Sequence, residues 1–304
     1  MFSILVLLST YNGKKYLSQQ LNSILHQTGV KVSILIRDDG SSDNTLDILY
    51  DFQKRNSNIE IIKGHNVGYA LSFTKLAIEA NKRKERYDFF AFSDQDDVWL
   101  PTKLAVAVEL LENESNQIPI AYFSNTTLVD ENLNFIKDGF SITQKDLTKP
   151  HSLLQNYATG CTMVFNHKAL EIYVDNQPKF IQFHDYLLYQ ICIFLGKVIY
   201  DKNSYILYRQ HSSNQIGVPT FFKRMRQRLK TNRNKNHCLN RNRAFYEAYY
   251  LQLKEEDMRL FEVLLNYKKS IKNKFRLLFN KEISFADSLE SNVFLKLKII
   301  LGWL

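Results

Sequence analysis

Cysteine, proline and glycine are all scarce. Among 304 residues there are 3 Cys, 5 Pro and 10 Gly. Cys161, Cys192 and Cys238 match neither a zinc-ligand spacing nor a redox pair, and so sparse and odd a set builds no disulfide framework. A reducing compartment is the natural setting. Few glycines and prolines also argue against a loop-rich all-β protein. Long apolar runs are missing too. The opening run at residues 1–8 is short, has no basic flank and passes straight into Ser9-Thr10-Tyr11-Asn12, so it reads as a buried strand rather than a leader. No run approaches the ~20 residues of a membrane-spanning helix. The expectation is a cytoplasmic protein, soluble or peripheral on the inner face of the membrane.

What is present is ordinary globular composition. With 45% hydrophobic, 13% aromatic and 23% charged residues, disorder and low complexity are excluded. The net charge of +9 is unevenly spread. Residues 1–215 carry 21 basic and 23 acidic side chains, whereas residues 216–304 carry 19 and 8. The positive excess therefore belongs to the last third, and such asymmetry suits a polyanion. Phe221, Met225 and Leu229 recur every four residues, and nine basic residues with no acidic one lie between Lys223 and Arg243. A cationic amphipathic segment of this kind suits an anionic membrane surface, with a packed helix bearing a solvated basic face as the alternative. Nucleic acid is set aside because the N-terminal region contains no recognised binding module. The expected organisation is an α/β domain over residues 1–217 and a basic helical extension over 218–304, which would meet the membrane through 219–304. Gly217-Val218-Pro219 marks the boundary.

Strand and helix signals alternate through the first hundred residues. Apolar runs at 3–9, 32–36, 59–62, 88–92 and 120–123 predict strands. The stretches between them carry helical spacing, with Ser42 or Asp43 as the cap of the second helix and Pro101 opening a helix over 102–111. That order implies a mostly parallel sheet with helices on both faces. Further on, 128–140 predicts a hairpin, 161–165 a strand, 184–195 a helix, and 197–200 and 205–208 two short strands.

Polar clusters fall where a parallel sheet binds ligands, at the carboxyl ends of its strands. They are Ser9-Thr10-Tyr11-Asn12-Gly13, Arg37-Asp38-Asp39-Gly40-Ser41-Ser42-Asp43 and Ser93-Asp94-Gln95-Asp96-Asp97. Each alone could be a capped turn, but three in order are hard to explain that way. Asp94 and Asp96 stand two residues apart in a turn, a spacing that lets two carboxylates share a hard cation such as Mg²⁺ or Mn²⁺. Asp97 is expected to cap the following helix.

In these motifs the chain resembles family 2 glycosyltransferases of the GT-A fold over roughly residues 3–215. Gly160-Cys161-Thr162-Met163, His184-Asp185 and Tyr208-Arg209-Gln210-His211 extend the match. The resemblance implies that Thr10 and Tyr11 contact the nucleoside of a nucleotide-sugar and that Asp39 accepts a hydrogen bond from the base. Asp94 would sit near the ribose. Asp96 would bind the metal, with His211 at the metal or diphosphate and Arg209 close by. Asp185 matches the catalytic base, for which the N-cap of its helix is the competing role. Gly160 and Cys161 would lie near the sugar and acceptor, and His184 would tune Asp185 or touch the sugar. Trp99 is either a wall of the acceptor site or a core residue.

Chemically, a nucleoside diphosphate leaves as an anion that a divalent cation stabilises, while a carboxylate on the opposite face takes the acceptor's proton. One such displacement inverts the anomeric centre. The Gln-x-x-Arg-Trp motif and spanning helices of processive relatives are absent, so one sugar per encounter is expected. The motif forms resemble rhamnosyltransferase-type members that build surface polysaccharides. This makes dTDP-L-rhamnose the leading donor, UDP-galactose or UDP-glucose the runner-up, and a glycan on a polyprenyl diphosphate the expected acceptor. A sugar nucleotidyltransferase is excluded by the missing Gly-rich, Arg-containing N-terminal loop. A non-catalytic assembly subunit is disfavoured by the intact Asp39, Asp94, Asp96 and Asp185 set. Oligomeric state is left open.

Overall fold

The computed structural model describes residues 1–139, 141–211, 237–279 and 289–302. Strands β1 (Ser3–Thr10), β2 (Lys31–Asp38), β3 (Ile59–Lys63) and β4 (Phe89–Ser93) run parallel in the order β3-β2-β1-β4. The sheet then continues differently. After the edge strand β5 (Val98–Trp99) and β6 (Ile120–Val129), the chain folds back as β7 (Phe135–Asp138), antiparallel to β6. The short β8 (Val164–Phe165) lies antiparallel between β4 and β6, and the long β9 (Lys197–Arg209) runs parallel to β6 and antiparallel to β5. The sheet is thus mixed, parallel throughout only in its first half.

Strand β1 shows why the N-terminal apolar run is unbroken. Ile4, Val6 and Leu8 enter the core on one face and Leu5 and Leu7 the core on the other, none more than 2% exposed. Helices α1 (Leu17–Leu25), α2 (Thr45–Arg55) and α4 (Lys103–Leu111) cover the first face with Leu21, Phe52 and Leu104. Helices α3 (Tyr69–Asn81), α6 (His167–Asp175) and α7 (His184–Leu195), with the single turn α5 (Lys149–Ser152), cover the second. The cap predicted at Ser42 or Asp43 falls at Asn44, while Asp43 Oδ1 accepts from Thr45 N at 3.0 Å inside the turn.

Three expectations need correction. Residues 161–165 are not one strand but a 3₁₀ turn, Gly160–Thr162, followed by β8. The two strands expected at 197–200 and 205–208 are one, because a register shift opposite Ser204 lets β9 continue past the polar residues between them. Asp97 caps nothing. Helix α4 starts later, after Thr102, and the buried Asp97 Oδ1 instead accepts from Arg209 N at 3.1 Å.

Beyond residue 236 the described residues form the helices α8 (His237–Tyr249), α9 (Glu255–Leu265), α10 (Ile271–Phe279) and α11 (Leu289–Leu301). Leu239, Phe245, Phe261 and Leu264 join the core of the second sheet face. Phe194 of α7 lies 5.6 Å from Phe245 and 4.9 Å from Phe261, ring to ring. The predicted boundary at Gly217-Val218-Pro219 and the basic segment at 221–230 lie outside the described residues. Among the described residues no helix is long and apolar enough to cross a membrane.

Candidate active site

The carboxyl ends of β1, β2 and β4 open onto one cleft of about 1100 Å³. Its floor is stitched from three loops distant in sequence. The Thr10 hydroxyl donates to Gln95 Oε1 at 2.6 Å, and Tyr11 N donates to the same oxygen at 2.9 Å. Asn12 Oδ1 accepts from Ser42 N at 2.8 Å. The polar turn residues are therefore spent on one another, which fixes the loops before any ligand arrives.

At the end of β2, Arg37 and Asp39 form a buried ion pair. Arg37 NH1 also donates to Ser72 Oγ at 2.9 Å. The Asp39 carboxylate accepts from Val67 N and Gly68 N, each at 3.0 Å. Gly68 has φ of 84°, a left-handed conformation that suits glycine, and it turns the chain so that α3 starts with Tyr69 facing the cleft.

At the end of β4, Asp94, Gln95 and Asp96 all line the cleft. Burial raises the Asp94 carboxyl above the usual carboxylate range, reinforced by the negative charges of Asp96 and Asp185. Asp96 Oδ2 pairs with His211 Nε2 at 2.8 Å. Behind it, Arg209 Nε donates to Asp96 O at 2.8 Å and Arg209 NH2 to Gln19 Oε1 at 2.6 Å, so this buried guanidinium braces the turn.

The opposite wall is the first turn of α7 and the Gly160 turn. The helix is capped by Phe183, so Asp185 is not its cap. Asp185 Oδ1 accepts from Tyr186 N at 2.6 Å and Oδ2 from Gly160 N at 3.1 Å. Burial pushes the Asp185 carboxyl up to about 6. His184 stacks on Phe73 with ring centroids 3.7 Å apart, and neither ring nitrogen has a hydrogen-bond partner. Burial pushes its pKa down to about 3, so the ring is neutral. A Cβ on Gly160 would stand 2.9 Å from His184 Nε2 and 3.2 Å from the Asp185 Cβ. Only glycine lets the turn approach the helix this closely.

Of the residues singled out from sequence, Tyr11, Asp39, Asp94, Asp96, Gly160, His184, Asp185 and His211 line this cleft. Thr10, Trp99, Cys161 and Arg209 are buried beneath it. Trp99 resolves to the core reading, with Lys103 Nζ 3.7 Å above its ring. The Cys161 thiol is held far above its ordinary value by burial, with Asp97 and Asp94 next in importance, and is no nucleophile.

Ligand atoms of Asp94, Asp97 and Cys161 also lie within 4.8 Å of one another. That trio includes a soft sulfur and is buried beside Lys103, an amine whose pKa burial lowers to about 7 although Cys161 and Asp97 oppose the shift. Asp96 and His211, 2.8 Å apart and open to the cleft, offer oxygen and nitrogen donors that suit a divalent ion better than that trio does.

The sequence reading missed Tyr69 and Arg241. Tyr69 donates to Gln182 O at 3.1 Å and feels the charges of both Asp185 and Asp94, which places it between the two walls. Arg241 reaches the cleft from α8, stacks 3.8 Å over the Tyr186 ring and donates to Leu153 O at 2.8 Å. Lying in the basic tail, it carried no signal that set it apart from its neighbours.

A family model, Glycosyl transferase family 2, matches residues 5–172. The chain belongs to this family. It is a glycosyltransferase with the GT-A architecture, a mixed sheet flanked by helices. The enzyme is 34% identical over 241 residues to dTDP-rhamnosyl transferase RfbG of Shigella flexneri, across 75% of this chain and 80% of that protein. It is 27% identical over 169 residues to the Escherichia coli UDP-Glc:alpha-D-GlcNAc-diphosphoundecaprenol beta-1,3-glucosyltransferase WfgD, across 56% of this chain and 62% of that one. Among solved structures, S. aureus TarS (1–349) in complex with UDP-GlcNAc superposes with a TM-score of 0.55 at 16% identity, covering 99% of this chain and 92% of that one. The mannosyltransferase PcManGT from Pyrobaculum calidifontis, in complex with GDP-Man and Mn²⁺, superposes with a TM-score of 0.54 at 14% identity, covering 99% and 80%.

Proposed function

We propose that this glycosyltransferase moves one L-rhamnose from dTDP-L-rhamnose to a hydroxyl of a lipid-linked glycan, with inversion, during surface polysaccharide synthesis. The observation that carries the reading is the pairing of two acidic walls. Asp94 and Asp96 stand at the tip of β4, Asp185 stands at the start of α7, and the Asp185 charge is close enough to add to the rise of the Asp94 carboxyl that burial and Asp96 cause. The likeness to a dTDP-rhamnosyl transferase supports the donor, and the likeness to an enzyme named for a diphosphoundecaprenol-linked substrate supports the acceptor.

Each residue then has a task. Tyr11 and Asp39 face the nucleoside. Asp96 and His211, with Asp94 beside them, would hold Mg²⁺ or Mn²⁺. When bound, that ion supplies positive charge to the departing diphosphate. Asp185 takes the proton of the attacking hydroxyl, and its carboxylate is kept in place by the two backbone N–H groups of Tyr186 and Gly160. Neutral His184, with both ring nitrogens unpartnered, borders the sugar side. The basic extension would rest on an anionic membrane at the inner face, where such an acceptor is anchored.

A second reading, transfer from UDP-glucose or UDP-galactose, keeps the same machinery and is favoured by the WfgD likeness. Incubating the protein with each nucleotide-sugar and a diphospholipid-linked acceptor separates the two. Consumption of dTDP-L-rhamnose with formation of the opposite anomer supports the first, and preferential consumption of a UDP-hexose supports the second.

A further inference from the structure

Exposed apolar groups gather at the C-terminal end of the protein. Of the nineteen large hydrophobic side chains exposed among the described residues, seven belong to α10 and α11. On α10, Leu277 turns inward at 2% exposure, while Ile271, Phe275 and Phe279 are 76%, 54% and 75% exposed. These three recur every four residues and so share one side of the helix. Phe275 and Phe279 are parallel, with ring centroids 6.0 Å apart. Helix α11 repeats the pattern, with Leu295 and Ile299 buried and Val293, Leu297 and Leu301 about half exposed. Both helices therefore bury one apolar face in the protein and offer a second to the outside.

The charge on these two helices is mainly positive. Five basic residues and no acidic one lie between 268 and 279, among them Lys272, Lys274 and Arg276, and α11 carries Lys296 and Lys298 against the single acid Glu290 at its start. A second copy of this chain is a poor occupant, since it would bring its own net +9 against the same rim. An anionic lipid surface satisfies both features at once.

We propose that the outward faces of α10 and α11 are the seat of the protein on an anionic bilayer. Phe275, Phe279 and their aliphatic neighbours enter the headgroup–acyl boundary, and the lysines and arginine meet the lipid phosphates. This rests on the membrane reading given above and narrows it from the whole basic extension to two helices. The chain of packed helices from α9 to α10 to α11 continues from α8, which carries Arg241 to the cleft. The seat and the acceptor side of the site therefore belong to one packed unit.

The test uses the full-length protein and vesicles of phosphatidylcholine, alone or mixed with phosphatidylglycerol. Wild-type protein should sediment with the mixed vesicles only. Phe275→Ser/Phe279→Ser and Lys272→Glu/Lys274→Glu/Arg276→Glu should each weaken that binding by about tenfold or more. Donor turnover in the absence of vesicles should be unchanged in both, since none of the five residues lines the cleft. Wild-type affinity in both variants would place the contact elsewhere and overturn the proposal. So would a wild-type protein that ignores the mixed vesicles, or a dimer that Phe275→Ser/Phe279→Ser dissociates. Absence of donor turnover in wild type would instead sink the catalytic reading, leaving the vesicle result to stand or fall by itself.

Discussion

The Asp96 carboxylate and the His211 imidazole meet at 2.8 Å although 115 residues of chain separate them. The pairing joins the tip of β4 to the end of β9, and Arg209, two residues before His211, locks the same turn from behind. A divalent ion would draw on both partners at once. Chelation should abolish sugar transfer, and added Mn²⁺ or Mg²⁺ should restore it. His211→Ala should raise the metal concentration needed for half-maximal turnover by at least about tenfold. Metal titrations of donor consumption in the two proteins read this directly.

Asp185 is expected to act as a base whose ionisation costs the fold stability. Asp185→Asn should cut kcat by about 10²–10⁴-fold, the usual worth of a positioned general base, while nucleotide binding by calorimetry stays near wild type. The linked effect on folding has a definite sign. The folded carboxyl keeps its proton up to about pH 6, above its ordinary 3.8, so ionisation costs stability as pH rises through that window. Asp185→Asn removes that cost but sets its NH2 against one of the two backbone N–H groups that the carboxylate accepts, so the expected sign is in the slope: its Tm should fall less than that of wild type as pH rises from about 4 to 7.

The same carboxyl sets the acid limb of the rate profile. Burial holds Asp185 at about 6, so the ionised base is lost below that pH and kcat/KM should fall about tenfold per pH unit there. A profile that stays flat from pH 7 down to pH 5 would remove Asp185 from the mechanism.

Gly160→Ala tests the close approach of the two walls. Its Cβ would stand 2.9 Å from His184 Nε2 and 3.2 Å from the Asp185 Cβ, so the α7 terminus must move. Overpacking of this kind costs about 1–3 kcal/mol, and displacement of Asp185 should lower kcat more than it changes donor KM. Urea unfolding and steady-state kinetics on one preparation measure both.

Asp39→Ala strands the buried Arg37 and removes the acceptor of the Val67 and Gly68 N–H groups. Breaking a buried pair from one side costs about 3–5 kcal/mol. Chemical denaturation should show that loss, and Asp39→Asn, which keeps an oxygen acceptor, should lose less.

The sequence revealed the strand ends and the polar clusters on them because each strand of the parallel half announces itself by an apolar run. The spacing already set Asp94 and Asp96 apart from Asp97, and the turn does send Asp94 and Asp96 to the cleft. The sequence did not reveal that Asp97 turns inward to accept from Arg209 N, because that partner lies 112 residues on. Arg209 lies close to the metal and diphosphate side as expected, but buried beneath it, with its nitrogens donating to Asp96 O, Glu131 O and Gln19 Oε1. Strand β8 was overestimated because two residues suffice to bridge β4 and β6, while the turn before it is shaped by Gly160. Tyr69 and Arg241 were illegible because contacts to Gln182 and Leu153, more than eighty residues away, bring them to the site.

The most direct test of the whole account is a donor panel run with a diphospholipid-linked acceptor, following nucleoside diphosphate release with and without EDTA. The account predicts that one nucleotide-sugar, dTDP-L-rhamnose first among them, is consumed in a metal-dependent manner and that Asp185→Asn consumes none at a comparable rate. Consumption that persists in EDTA, or that Asp185→Asn leaves untouched, would contradict it.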